Sequence, residues 1–461
     1  MPPRTGSRTG ATPSARQRQL TRSLRLVRLT GRRSRTWATA KLKGRSATVE
    51  ERRRLDEQFK IQTAEDVAAE LGHMKGAAMK LGQALSYQLE GLPPAAQRSL
   101  ESLQADVEPM APSLAEQVVE DELGRHPRSL FLDWSPTPIA AASIGQVHRA
   151  VLRNGQEVAV KVQYPGVAEA IESDLSNAKW LHRLISVVAL RGLNIDELVA
   201  ELRDRLGEEL DYRLEADRQQ RFADRYRNHP FIAVPDVVAE LSSGRVLTST
   251  WAEGASWSDF VAGSTNGERQ HVAEAVYRFA QRGIYRVHEF HADPHPGNYR
   301  IAADGTLIVL DYGLVKRFTE TEMANLWPII DPLLASDRTA TIARVIEAGF
   351  LPTDHHFELD DLWHYLTAPY RPFLVDTFRF SRDFTADTMS RILDVRGPYA
   401  AIMNSLTMPP SFLLLDRVVW GMTALLGQLD AENSWRGILA EYREDGAPAT
   451  DLGRAEANWA G

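Results

Sequence analysis

The chain has 461 residues, 43% of them hydrophobic, and a formal net charge of -7 at pH 7, which suits one large bilobal unit or a few modules with ordinary globular cores. It contains no cysteine, so a disulfide framework, a thiolate nucleophile and cysteine-ligated zinc are all excluded. No apolar run reaches the ~18 charge-free residues of a spanning helix. The best candidate, "FLLLDRVVWGMTALLGQL" at 412–429, carries Asp416 and Arg417 inside it and reads as a buried helix.

Charge is unevenly placed. Residues 1–45 hold thirteen Arg or Lys and no acid, leaving -20 on the remainder. This head is rich in Arg, Ser, Thr and Gly, the composition of a poorly ordered arm. Leu20, Leu24 and Val27 fall at helical spacing with Arg22, Arg25 and Arg28 between them. Such a basic amphipathic stretch suits an anionic membrane surface, where each cation gains roughly 1 kcal/mol. A solvated tail and an organellar presequence share the composition. The expected location is cytoplasmic with reversible membrane-surface contact; nucleic acid is not an expected partner.

From about 48 to 130 the pattern is helical, with "EDVAAELGHMKGAAMKLGQALSYQ" apolar at helical spacing and Pro93-Pro94 ending the run. The period then changes. "GQVHRAVL" and "EVAVKVQY" are short β-rich runs around "RNGQ", and Asn154-Gly155 between them signals a hairpin. Helical patterns return at about 168–227, "AVPDVVAEL" and "GRVLTSTWAEG" read as strands, and the remainder from about 256 is mostly helical. Strands clustering early and helices late predict an α+β protein with a ligand cleft between a small sheet lobe and a helical lobe. The expected divisions are an arm at 1–45, a helical extension at 46–130, a sheet lobe with inserted helices at 131–255 and a helical lobe at 256–461.

The densest chemistry lies in "FHADPHPGNYRIAADGTLIVLDYG" at 290–313. His291 and His295 have the spacing of two zinc ligands on one helix face, but Pro294 and Pro296 are incompatible with that helix. The oxygen-bearing side chains fit better. Asp293 is followed by Asn298 and then Asp311, with a turn at "ADG" and an apolar strand "TLIVL" between them. A hairpin there returns Asp311 beside Asn298. Phosphoryl transfer asks for this set, one Asp at the acceptor and an Asn with a second Asp holding magnesium on the phosphates. Taken alone, "DPHPGN" is also an ordinary turn. Lys161, ending the strand-like "EVAVK", supplies the cation that ATP phosphates need.

Together with "KLGQ" at 80–83, "AAASIGQVH" at 140–148 and "ELD" at 209–211, these motifs resemble the UbiB/AarF-like atypical kinase family. The resemblance extends over about 70–320. It implies a bilobal protein-kinase-like fold, with a helical N-terminal extension laid over the active site, and a link to prenyl-quinone or lipid metabolism. It implies Lys161 as the phosphate-contacting lysine, Asp293 as the catalytic acid-base position, and Asn298 and Asp311 as magnesium ligands. Nucleotide contacts are expected from Ala140, Ala141, Ala142, Ser143 and Gln146, and from Lys80 and Gln83 on the covering helix. The "AAAS" loop stands where protein kinases carry G-x-G-x-x-G, so the phosphates cannot be wrapped in the same manner. As partner of Lys161, Glu209 of the family's E-x-D motif is favoured over Glu172.

Expected partners are ATP or ADP, a prenyl lipid or anionic membrane, and quinone-biosynthesis proteins. A covered site favours ATP hydrolysis or a small lipid-like acceptor. Two alternatives stand beside this reading. One is a small-molecule phosphotransferase of the aminoglycoside or choline type; the other is a non-catalytic nucleotide-gated chaperone.

Overall fold

A computed structural model describes residues 110–142, 144–169, 207–392, 397–407 and 410–459. The chain divides into two units, 1–73 with 92–103 and 74–91 with 104–461, and every described residue belongs to the second. The basic arm, the "KLGQ" segment with Lys80 and Gln83, Ser143 and Glu172 lie outside the described residues.

Helix α1 (Pro112–Leu123) starts on a proline, where no N–H is required, and stops at Gly124 in the left-handed region at φ 72. One helical turn, α2 (Pro127–Leu130), leads into β1 (Asp133–Trp134), β2 (Ala140–Ala141), β3 (Gly145–Val151) and β4 (Glu157–Gln163). The expected hairpin forms at Asn154-Gly155, with Val151 opposite Glu157 and Gly155 at φ 87. With β6 (Val246–Thr250) these strands build an antiparallel sheet in the order β1-β3-β4-β6, with β2 beside β3. Ala115, Val118 and Val119 of α1 pack on Val158, Val160 and Val162 of β4. Because side chains alternate along a strand, that burial turns Lys161 to the opposite face.

Helix α3 (Tyr212–Arg225) is capped by Asp211, whose side chain accepts the Arg213 N–H at 3.0 Å. The stretch 233–241 departs from expectation. Only β5 (Ile232–Ala233) touches its start, Val237 forms an isolated bridge with Ser249, and Ala239–Leu241 is a 3-10 turn. Pro235 lacks a ladder N–H, which confines the segment to this partial pairing.

The second half contains β7 (Ala255–Ser256), α4 (Trp257–Gly263) and α5 (Asn266–Arg282), the last begun by a Thr265–Glu268 capping box. A π-helical turn at Gly283–Val287 delivers the chain to β8 (Glu289–His291). Next come β9 (Tyr299–Ile301), β10 (Leu307–Val309) and β11 (Val315–Arg317). A four-stranded sheet runs β5-β10-β9-β7, while β11 pairs with β8.

The remainder holds α6 (Glu320–Leu334), α7 (Arg338–Glu347), α8 (Leu359–Thr367), β12 (Phe378–Arg379), α9 (Arg382–Ile392), α10 (Ala400–Ser405), α11 (Pro410–Gln428), β13 (Glu432–Asn433), α12 (Trp435–Arg443) and α13 (Asp451–Ala457). The largest core joins α5 (Val272, Val276, Phe279) to Leu307, Val309, Leu425 and Trp435. Among the described residues no helix is long and apolar enough to cross a membrane. Helix α11 is instead a core helix, as its internal charges foretell, and it buries Val418, Met422, Leu425 and Leu426.

Candidate active site

Lys161 leaves the sheet with its ammonium 2.8 and 2.9 Å from the two oxygens of Glu215 and 3.4 Å from Asp311 Oδ2. The ring of Tyr212 lies 5.0 Å from the same nitrogen. Burial alone lowers a lysine pKa; here Asp311 and Glu215 outweigh it and hold Lys161 well above its ordinary value, permanently cationic. Its carboxylate partner is therefore Glu215, a correction to the expectation of Glu209. Glu209 precedes α3, and its charge acts on the Tyr212 hydroxyl, which burial first and the nearby carboxylates second keep protonated. Helix geometry decides the difference. Tyr212, Glu215, Ala216, Gln219, Phe222 and Ala223 form the buried face of α3, and Glu215 is the one carboxylate on it. That periodicity was the signal for Glu215 in the sequence.

Helix α3 is fastened along its length. Arg218 donates to the Gly313 carbonyl at 2.9 Å, and Arg221 and Arg225 bind Glu289 of β8 at 2.7 and 3.0 Å. Phe222 packs on Tyr312 with ring centroids 4.9 Å apart. Tyr312 is fully buried, filling the aromatic position of its "DYG" motif.

The β9–β10 hairpin forms as the spacing predicts, with Tyr299 opposite Val309, and the Leu310 N–H donates to the Asn298 carbonyl at 2.8 Å. This brings Asn298 and Asp311, thirteen positions apart in sequence, to the same end of the hairpin. The Asn298 amide nitrogen donates to the Asp293 backbone oxygen at 3.0 Å and to Asp293 Oδ2 at 2.9 Å. Asp311 sits in the left-handed region at φ 58, its Oδ1 accepting the Gly313 N–H at 3.2 Å. His291 ties the two loops together. Its Nδ1 accepts the Asp293 N–H at 3.3 Å, which assigns the proton to Nε2, 2.7 Å from the Asp311 carbonyl. His295 is an exposed loop residue accepting the Gly297 N–H at 3.1 Å, so the two histidines do not pair, in keeping with the proline objection to a zinc helix.

Two residues of α11 complete the site, and sequence reasoning assigned neither to it. Arg417 donates to Asp293 Oδ1 at 2.5 Å. Gly421, one turn later, lies where an added Cβ would stand 2.2 Å from Pro294 Cγ. A charge inside the most apolar helix was the available signal, since buried charges require partners.

The alanine loop is a strand and turn. Ala140 and Ala141 pair with Val147 and Gln146, and the Ala142 N–H donates to the Gly145 carbonyl at 2.8 Å. That N–H is committed within the hairpin and cannot also wrap a phosphate. Gln146 is a second correction. It is fully buried, with its amide accepting from Met110 N and meeting His148 Nε2, each at 2.9 Å, so it faces the interior and not the cleft.

The donor set suits a hard divalent ion. The Asn298 nitrogen is directed to Asp293, which leaves its amide oxygen as the donor to an ion at the hairpin end that also carries Asp311, whose side chain is 44% exposed. Among the described residues no group of three His, Cys, Asp or Glu side chains could hold a metal. Two protein oxygens completed by phosphate oxygens and water are what magnesium accepts.

Compared with known proteins, residues 102–345 match the ABC1 atypical kinase-like domain. The chain is 34% identical over 281 residues to the uncharacterized protein sll0005 of Synechocystis, covering 60% of this chain and 41% of that protein. It is 29% identical over 401 residues to the mitochondrial atypical kinase coq-8 of Caenorhabditis elegans, covering 83% and 51%. The chain thus spans about half the length of these curated relatives. Rv3197 of Mycobacterium tuberculosis, solved in complex with erythromycin, superposes with a TM-score of 0.61 at 30% identity, covering 81% of this chain and 93% of that one. The α+β fold is accordingly kinase-like, and this chain belongs to the ABC1 atypical kinase-like family.

Proposed function

We propose that this protein binds ATP with magnesium beside Lys161 and transfers the terminal phosphate to water or to a small acceptor. The observation that carries the reading is Lys161 held between Glu215 and Asp311, with Asn298 hydrogen-bonded to Asp293 on the neighbouring loop. Glu215 fixes the ammonium through both oxygens, so Lys161 meets a phosphate oxygen without first losing rotamer freedom. The Asn298 amide oxygen and the Asp311 carboxylate hold the ion, which when bound offsets charge on the phosphates. Asp293 has one oxygen on Arg417 and the other on Asn298. These partners fix the position of Asp293, from which its carboxylate orients the attacking hydroxyl or water. The hairpin-bound Ala142 N–H favours a phosphate geometry unlike that of a glycine-rich loop.

Membership of the family supports a setting in prenyl-quinone or lipid metabolism and a small lipid-like acceptor, with the basic arm at 1–45 attaching to an anionic membrane surface. Phosphate release by the full chain, with magnesium and ATP and with or without anionic liposomes, tests the reading. Release that needs magnesium, and that Asp311→Asn abolishes without unfolding the protein, is the expected result. An Asp311→Asn protein as active as the parent would remove the metal assignment.

A further inference from the structure

Beyond the Lys161–Asp311 cluster a separate cavity of about 580 Å³ opens between α4, β9, the start of α9 and the end of α11. Its volume is that of a small-molecule site. One wall is apolar. Trp257 and Tyr299 lie with ring centroids 5.8 Å apart, and the Trp257 indole is fixed by a 2.9 Å hydrogen bond to Gln428. Val261, Ala262 and Pro296 extend that wall. The opposite character comes from Arg300 and Arg382, which also line the cavity. Among the described residues neither arginine has a carboxylate partner, whereas Arg379, three positions before Arg382, is held by Asp430. The nearby Asp259 is turned onto the Ser256 hydroxyl at 2.6 Å. Two arginines lining a cavity with an aromatic wall match a ligand with an anionic head and a compact apolar body.

We propose that this cavity binds an amphipathic anion, a phosphate or carboxylate carrying an apolar ring or short chain. The anion meets Arg300 and Arg382, and the apolar body lies on Trp257 and Pro296. Pro296 and Gly297 belong to the loop between Asp293 and Asn298, so the occupant packs directly against that loop. No residue of the cavity wall is among those assigned to phosphate or metal contact. The site is therefore separate from the proposed nucleotide position.

Calorimetric titration of the full chain with phenyl phosphate, in saturating magnesium and ADP, tests this. Phenyl phosphate is expected to bind with the nucleotide present, and more than about tenfold tighter than inorganic phosphate because the ring is buried. Arg382→Gln and Arg300→Gln should each weaken binding about tenfold through loss of a charge-assisted hydrogen bond. Ala262→Trp, which fills the cavity from an exposed position on α4, should abolish binding with the melting temperature unchanged. Displacement of phenyl phosphate by ADP, equal affinity for inorganic phosphate, or wild-type binding in Arg382→Gln and Ala262→Trp would each overturn the proposal. The readout is binding and not turnover, so such a failure leaves the phosphoryl-transfer reading untouched.

Discussion

Gly421 of α11 lies so close to Pro294 that a Cβ on the glycine would reach 2.2 Å from Pro294 Cγ and 3.0 Å from Pro294 Cβ. Glycine in a helix ordinarily costs about 1 kcal/mol relative to alanine, so Gly421→Ala would stabilise an isolated helix. Here it should do the reverse, because the helix or the loop must move apart. A lower melting temperature and a loss of phosphate release of about tenfold or more are expected. An alanine variant that melts higher with full activity would show that the loop is not seated on this helix.

Arg417 approaches the same loop one turn earlier. Arg417→Met keeps the length of the side chain and removes the donor to Asp293. Turnover should fall roughly ten- to a hundredfold while KM for ATP changes little, the pattern of a residue that positions Asp293 without touching nucleotide. Arg417→Lys should recover part of the loss. A variant with altered KM and normal turnover would reassign Arg417 to nucleotide binding.

Glu215 and Lys161 form the other fixed pair. Glu215→Gln should weaken nucleotide binding and lower phosphate release by about a hundredfold, since a half-buried ammonium loses its closest counter-charge. Asp217→Asn, on the exposed face of the same helix, should change little. Since the folded-state pKa of Lys161 is raised, the pair's contribution is fully present below the ordinary lysine range and is lost only as pH rises through the raised value. Activity should therefore show no Lys161 titration between about pH 6 and 9. Phosphate release across that range in wild type and Glu215→Gln checks both statements.

Asp416, beside Arg417, behaves oppositely. Burial pushes its carboxyl up to about 6, against the opposing hydrogen bond from Trp420 Nε1 at 3.1 Å. An acid whose folded pKa is raised binds its proton more tightly when folded. Folding stability is thus lost as pH rises from the ordinary aspartate range through 6, and the loss is complete above that. Asp416→Asn keeps an acceptor for Trp420 and removes this cost. The variant should exceed wild type by on the order of 3 kcal/mol near pH 8, with the gap closing towards pH 4. Urea unfolding of both proteins at the two pH values reads this directly; a gap independent of pH would show that Asp416 titrates normally.

Tyr312 carries a fully buried hydroxyl that finds no hydrogen-bond partner among the described residues. Tyr312→Phe keeps the packing on Phe222 and His291 and should be neutral or stabilising by up to about 1 kcal/mol. Thermal unfolding decides; a clear destabilisation would mean that the hydroxyl is bonded.

Local chemistry made much of this protein legible from its residues in order. Asn154-Gly155 announced the β3–β4 hairpin, alternating valines gave Lys161 its side of the sheet, and "ADG" before an apolar strand brought Asp311 back to Asn298. Each of these depends on turn geometry or on the period of a strand, which a few neighbouring residues fix. The resemblance misled at Glu209 and Gln146, because a motif names residues without saying which of them faces the cleft. Which carboxylate reaches Lys161, and whether a polar side chain faces the cleft or the interior, depends on how α3 and β3 pack. Arg417 and Gly421 were least visible, since they stand 124 and 127 positions beyond Asp293 and Pro294 within a helix that reads only as core. Tertiary packing alone pressed that helix onto the loop, because burying its apolar face carries Arg417 to Asp293 and Gly421 against Pro294.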